Sequence, residues 1–179
     1  MFFEEIESNK YTKSSAELCI VTFDSSARCL YEFQNIERQI CPTLVANGST
    51  SMDDGVNLAL DKLNIVKDEY KNAGVPYFQP WMVLMTDGAP TQDIYRSTNR
   101  TTTMVNENKL VIFPIGIGSN ADMGVLSEYS PKRDPLKLKG LNFSSFFEWL
   151  SQSVTRVSQS IPGDKIELDI DGLKGWAEL

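Results

Sequence analysis

Two short stretches carry side chains suited to holding a hard cation. "PWMVLMTDGAPT", Pro80 to Thr91, is an apolar run broken at Thr86, Asp87 and Gly88 and closed by Pro90. "NGSTSMDDG", residues 47–55, offers Ser49, Thr50 and Ser51 in a row before a segment of helical periodicity. A short apolar run bounded by turn residues suits a strand buried on both faces. Open α/β sheets gather their ligands just beyond the carboxyl ends of such strands. Asp87 is expected there, and Thr50 can meet it if the second loop ends on the same edge. A hydroxyl and a carboxylate are hard oxygen donors. They suit Mg²⁺, which keeps several waters and accepts few protein ligands.

Plainer roles stand beside this one. Asp87 can simply start an Asp-Gly turn. Thr50 can cap the following helix, with Ser51 and Asp54 as an imperfect capping box, and Asp53 and Asp54 suit the dipole of its first turn. A rival motif is "GIGSNA", 116–121, which fits G-x-G-x-x-A after a strand, with Asp134 further on as a ribose contact. That would make the chain a dinucleotide-binding enzyme. The helix after it is expected to be short and to contain Gly124, and no proton donor accompanies it.

Composition narrows the classes. Seventeen Lys and Arg against 24 Asp and Glu leave a net charge of −7, which disfavours nucleic acid and anionic membrane surfaces as main partners. The chain has no histidine, so serine–histidine and cysteine–histidine catalysis and imidazole zinc sites are excluded. Cys19, Cys29 and Cys41 form no C-x-x-C pair. If Asp24 to Ala27 turn a hairpin, Cys19 is expected opposite Glu32 rather than Cys29, and the thiols are expected to stay reduced. "MFFEEIESNK" has neither a basic start nor a long apolar core, and no stretch reaches the length of a membrane span, so a cytoplasmic location is expected.

The positioning elements follow from periodicity. Strands are predicted at 16–23 and 28–33 around "DSSA", at 81–85, at 109–118 and near 135–138. Helices are predicted from Met52 to the "NAG" at 72–74, from about Gln92 to Asn108, around Ala121 to Tyr129, and from Phe143 to about Ser160. "KIELDI", 165–170, alternates like a half-buried strand. The Phe146, Phe147 and Trp149 cluster is expected to be core. Strands alternating with helices predict an α/β, doubly wound, mostly parallel sheet.

The strings "IVTFDSSA", "NGSTSM", "QPWMVLMTDGAPT", "LVIFPIGIG", "LKLKGLNFSSFFEWLSQSVTRVSQS" and "GWAEL", in this order, resemble the von Willebrand factor A domains. The likeness spans essentially the whole chain and is nearest to the bacterial cytoplasmic branch of tellurite-resistance and stress-response clusters. It implies a Rossmann-like domain over 1–160 with a tail, 161–179, packed on it. It also implies a metal-ion-dependent adhesion site, in which Thr50 matches the second loop and Asp87 the third, with Ser49, Ser51 and Gly88 as accessories. The implied function is a protein-interaction module, not an enzyme, whose partner completes Mg²⁺ coordination with a carboxylate.

One part of the family pattern has no match. The first loop, Asp-x-Ser-x-Ser, has "DSSAR" as its nearest string, with Arg28 in place of the second serine. By the resemblance the chain starts within the family's first helix and lacks its first strand. Mg²⁺ binding is therefore expected to be weak or absent. The lost strand would lie between 16–23 and 81–87, leaving two sheet edges without partners. Those edges are expected to recruit another strand or to drive self-association.

Overall fold

The computed structural model describes residues 14, 16–40, 42–43, 48–140, 142–160, 172 and 176–178. "KIELDI" lies outside the described residues. The chain opens with a hairpin of β1 (Glu17–Phe23) and β2 (Ala27–Asn35). Its turn is held by Asp24, whose Oδ1 accepts from the Ser26 N–H at 3.0 Å. A 3-10 turn, Ile36–Arg38, follows. Then come α1 (Met52–Asn72), β3 (Trp81–Thr86), α2 (Tyr95–Asn106), β4 (Val111–Ile117), α3 (Met123–Glu128), β5 (Leu136–Leu138), α4 (Phe143–Ser158) and β6 (Ala177–Glu178).

The fold is mixed α/β. β3, β4 and β5 form a parallel sheet in that order, and β6 adds antiparallel to β5. The hairpin β1–β2 forms a ladder of its own. Side chains of β3 alternate between two cores. Met82 and Leu84 join α1, α2 and α3 residues, including Met52, Leu60, Val105 and Leu126. Trp81, Val83 and Met85 face Phe146, Trp149 and Leu150 of α4. With helical residues on both faces, a strand has no solvent side, which is why 81–85 reads as a continuous apolar run.

The polar helix α2 survives the burial of Ser97, Thr98 and Thr101 because their hydroxyls have backbone partners. Thr98 donates to the Ile94 carbonyl at 2.9 Å and Thr101 to the Ser97 carbonyl at 3.0 Å. Such back-bonding satisfies a buried hydroxyl without interrupting the helix. Helix α2 is shorter than predicted at both ends. Asp93 accepts from the Tyr95 N–H at 2.8 Å and holds the preceding residues in a turn.

Cys19 falls between the Leu18–Gln34 and Ile20–Tyr31 pairs, opposite Glu32 and Phe33, while Cys29 pairs with Val21. Cys19 Sγ lies 3.9 Å from Cys29 Sγ. The β1–β2 register slips between Leu18 and Ile20 and again between Ile20 and Val21, and a simple hairpin count misses both irregularities. Both cysteines are free thiols. The tail contributes Trp176 and Ala177 to the second core. Trp176 is buried against Phe146 and Trp149, with ring centroids 4.8 and 5.4 Å away.

Candidate functional site

Three loops meet where β1 and β3 end. The Ser51 N–H donates to the Asp24 carbonyl at 2.8 Å, which fixes the start of α1 to the end of β1. Ser49 is anchored to the same turn, its N–H donating to Ser25 Oγ at 3.3 Å. From the other side, the Thr91 N–H and hydroxyl both donate to the Thr50 carbonyl, at 3.1 and 3.2 Å. Gly55 lets α1 approach closely, since a Cβ there would meet the Phe23 ring at 2.6 Å.

This stitching brings Thr50 onto the Asp87–Gly88 turn. A Cβ built on Gly88 would lie 3.4 Å from Thr50 Oγ1. The turn is closed by Thr86, whose Oγ1 accepts from the Gly88 N–H at 3.3 Å. Asp87 and Ser49 are exposed, Thr50 and Gly88 half-buried, and Ser51 buried. Ser51, not Thr50, is the N-cap of α1, and its side chain makes no capping bond. The capping box is therefore not formed. Asp54 accepts from Gln92 Nε2 at 3.2 Å instead.

Asp24 is committed to its own hairpin. Besides the Ser26 bond it pairs with Arg28 at 3.7 Å, so the "DSSAR" string is turn chemistry. Among the described residues, no three His, Cys, Asp or Glu side chains gather closely enough to hold a metal. The donors these loops carry are the Asp87 carboxylate and the Thr50 hydroxyl, while the Ser49 hydroxyl donates to Ser25 Oγ at 3.3 Å. Such a set fits a water-rich Mg²⁺ held loosely, and does not form a closed cage.

Sequence reasoning missed Ser25 and Thr91, which set the loop positions. Their partners are 24 and 41 residues away in the chain, and no local pattern marks them. At the rival motif, a Cβ on Gly116 would meet Met123 Sδ at 2.5 Å and Ala121 Cβ at 3.0 Å. The glycine makes room for the chain's own side chains. The Asp122 carboxylate caps α3 by accepting from the Val125 N–H at 3.0 Å, so an acidic group already sits where a pyrophosphate would bind.

No family model and no curated protein matches this chain. Two solved structures, both of proximal thread matrix protein 1 from the mussel byssus, are similar in fold. They superpose with TM-scores of 0.51 and 0.53, at 19% and 16% sequence identity. Each covers 87% of this chain, which spans 38% and 40% of theirs, about two fifths of the neighbours' length. These neighbours are von Willebrand factor A-like. At this identity the likeness speaks for the fold alone. Among the described residues, no helix is long and apolar enough to cross a membrane.

Proposed function

We propose that this chain is a von Willebrand factor A-type interaction module built on a doubly wound sheet. Its working edge is the carboxyl end of β1 and β3. Thr50 and Asp87 would hold Mg²⁺ weakly, and a carboxylate on a protein partner would complete the coordination. Bound there, the ion would supply a positive charge that recognises an acidic side chain. The observation that carries the reading is the placement of the Thr50 hydroxyl over the Asp87–Gly88 turn, where two chain-distant loops converge. A cytoplasmic role in a bacterial stress or tellurite-resistance system belongs to the same proposal and rests on the sequence resemblance. The dinucleotide-enzyme alternative has less support, because Met123 and Ala121 take the space beside Gly116 and the Asp122 carboxylate already caps the helix that follows.

The test is a Mg²⁺ titration followed by backbone amide shifts. Weak, saturable changes confined to Ser49–Ser51 and Asp87–Gly88, strengthened by added acetate and lost in Asp87→Ala, are expected. Shifts scattered over acidic surface positions, or unchanged in Asp87→Ala, would overturn the reading. Stabilisation by NAD(H) in a thermal melt would favour the enzyme instead.

A further inference from the structure

Two thiols meet on the β1–β2 hairpin, with Cys19 Sγ and Cys29 Sγ 3.9 Å apart. Cys29 pairs with Val21, two positions beyond Cys19, so the sulfurs approach on a diagonal of the ladder. A disulfide needs its sulfurs at about 2.05 Å, and this pair stands well beyond that. One tetrahedral ion touching both sulfurs fits the spacing better. With metal–sulfur bonds of about 2.3 Å, two thiolates on such an ion lie about 3.8 Å apart.

We propose that Cys19, Cys29 and Glu32 form a binding site for one Zn²⁺ ion, with water as the fourth ligand. Thiolates select soft and borderline cations, whereas Thr50 and Asp87 offer only hard oxygens, so the inference is independent of the Mg²⁺ reading. All three donors belong to the hairpin. The site therefore does not depend on what lies along the other edge of β1.

The thiol protons already have places that an ion can take over. Cys29 donates to the Tyr31 carbonyl at 3.3 Å, which leaves Cys19 donating to Cys29. Binding exchanges those protons for the metal: Zn²⁺ and two thiols give a zinc dithiolate and two H⁺. The dithiolate has no net charge, which suits half-buried sulfurs where a lone thiolate is costly.

Glu32 lies opposite Cys19 in the ladder, and its charge is felt at both sulfurs. Its Oε1 is paired with Lys62 Nζ of α1 at 2.5 Å, so in this arrangement the two sulfurs alone are in place. Glu32 is exposed and free to turn. Turning its carboxylate to the ion gives three anionic donors against a dication, and Lys62 remains beside them to balance the excess.

The experiment titrates the full chain, kept reduced with a phosphine, first with Co²⁺ and then with Zn²⁺. Cobalt is expected to give the near-ultraviolet band of thiolate ligation and the visible bands of tetrahedral geometry, and one equivalent of Zn²⁺ to erase both. Calorimetry of Zn²⁺ binding in two buffers should show about two protons released per ion. Cys19→Ser and Cys29→Ser should each weaken Zn²⁺ binding by about a hundredfold or more. Glu32→Gln should weaken it by about tenfold, since even supporting groups of a metal site are worth about 10–100-fold. Cys41→Ser, at a position outside the described residues, should bind as the parent does. Absence of a thiolate band at saturating Co²⁺ would overturn the proposal whether or not the variants fold. So would full affinity in either hairpin serine variant or in Glu32→Gln, or loss of binding in Cys41→Ser.

Discussion

The Ser97 N–H donates to Oδ1 of the buried Asp53 at 2.8 Å, joining the first turn of α2 to the first turn of α1. Oδ2 of the same carboxylate accepts from Asn57 Nδ2 at 2.9 Å, and Asn57 Oδ1 accepts from Arg100 at 2.7 Å. Ser97 Oγ lies 2.9 Å from the Tyr129 hydroxyl. Because α1 starts just after Thr50 and α2 follows the Asp87 loop, this network fixes the spacing of the two candidate ligands. Asp53→Ala should cost about 1–3 kcal/mol, the usual loss when buried donors are left unmet. Asp53→Asn should also destabilise, since its amide must turn a donor toward either Ser97 N–H or Asn57 Nδ2. Urea midpoints check both. Two unshifted midpoints would show that the network contributes nothing.

Leu60 and Leu63 lie on the same stripe of α1 but differ in surroundings. Leu60 is fully enclosed, whereas Leu63 borders the channel between β1 and β3. Truncation leaves a cavity whose cost depends on how far neighbours can relax or solvent can enter. Leu60→Ala should therefore cost roughly 3–5 kcal/mol and Leu63→Ala roughly 2–3 kcal/mol. Equal effects, or neutrality of both, would contradict the packing described.

Much of this arrangement could be read from the chain itself. The apolar run at 81–85 and the 3.6-residue stripe of Val56, Leu60 and Leu63 predicted β3 and α1 because one pattern dominates each. The convergence of Thr50 and Asp87 followed from the rule that sheet ligands gather at carboxyl ends. What escaped were relationships between distant residues. Asp53 looked like a dipole partner, and its bond to Ser97 bridges 44 positions. Trp176 sits in the second core although "GWAEL" has no period long enough to read. The Cys19–Cys29 approach is a diagonal contact across the ladder, which a count of directly opposed residues does not give.

Unpaired sheet edges tend to find partners in other chains. Where the facing edges of β1 and β3 stay unpaired, the protein is expected to associate as its concentration rises. Light scattering across a dilution series should show a falling mean mass. A monomer at every concentration, with one cooperative melt, would indicate that the edges are closed within the chain.

The last prediction concerns alkaline stability. Burial is the main force raising the Cys19 thiol from 9.0 to about 12, with Cys29 close by adding to it. The Cys29 thiol is raised as well, again chiefly by burial. Burial likewise lifts the Tyr129 hydroxyl from 10.0 to about 12, against the opposing effect of its Ser97 bond. In each case the folded chain keeps a proton that the unfolded chain has already released. The stability these groups contribute is thus complete below the unfolded value and is lost as pH rises toward the folded one. For Cys19 the window runs from 9.0 to about 12. Urea midpoints should fall across that window, and less steeply in Cys19→Ser, whose hydroxyl does not titrate there. Alkylation at neutral pH should be slow for the same reason, since the reactive thiolate is scarce. An unchanged slope in Cys19→Ser would show that the thiol ionises as readily in the folded chain as in the unfolded one.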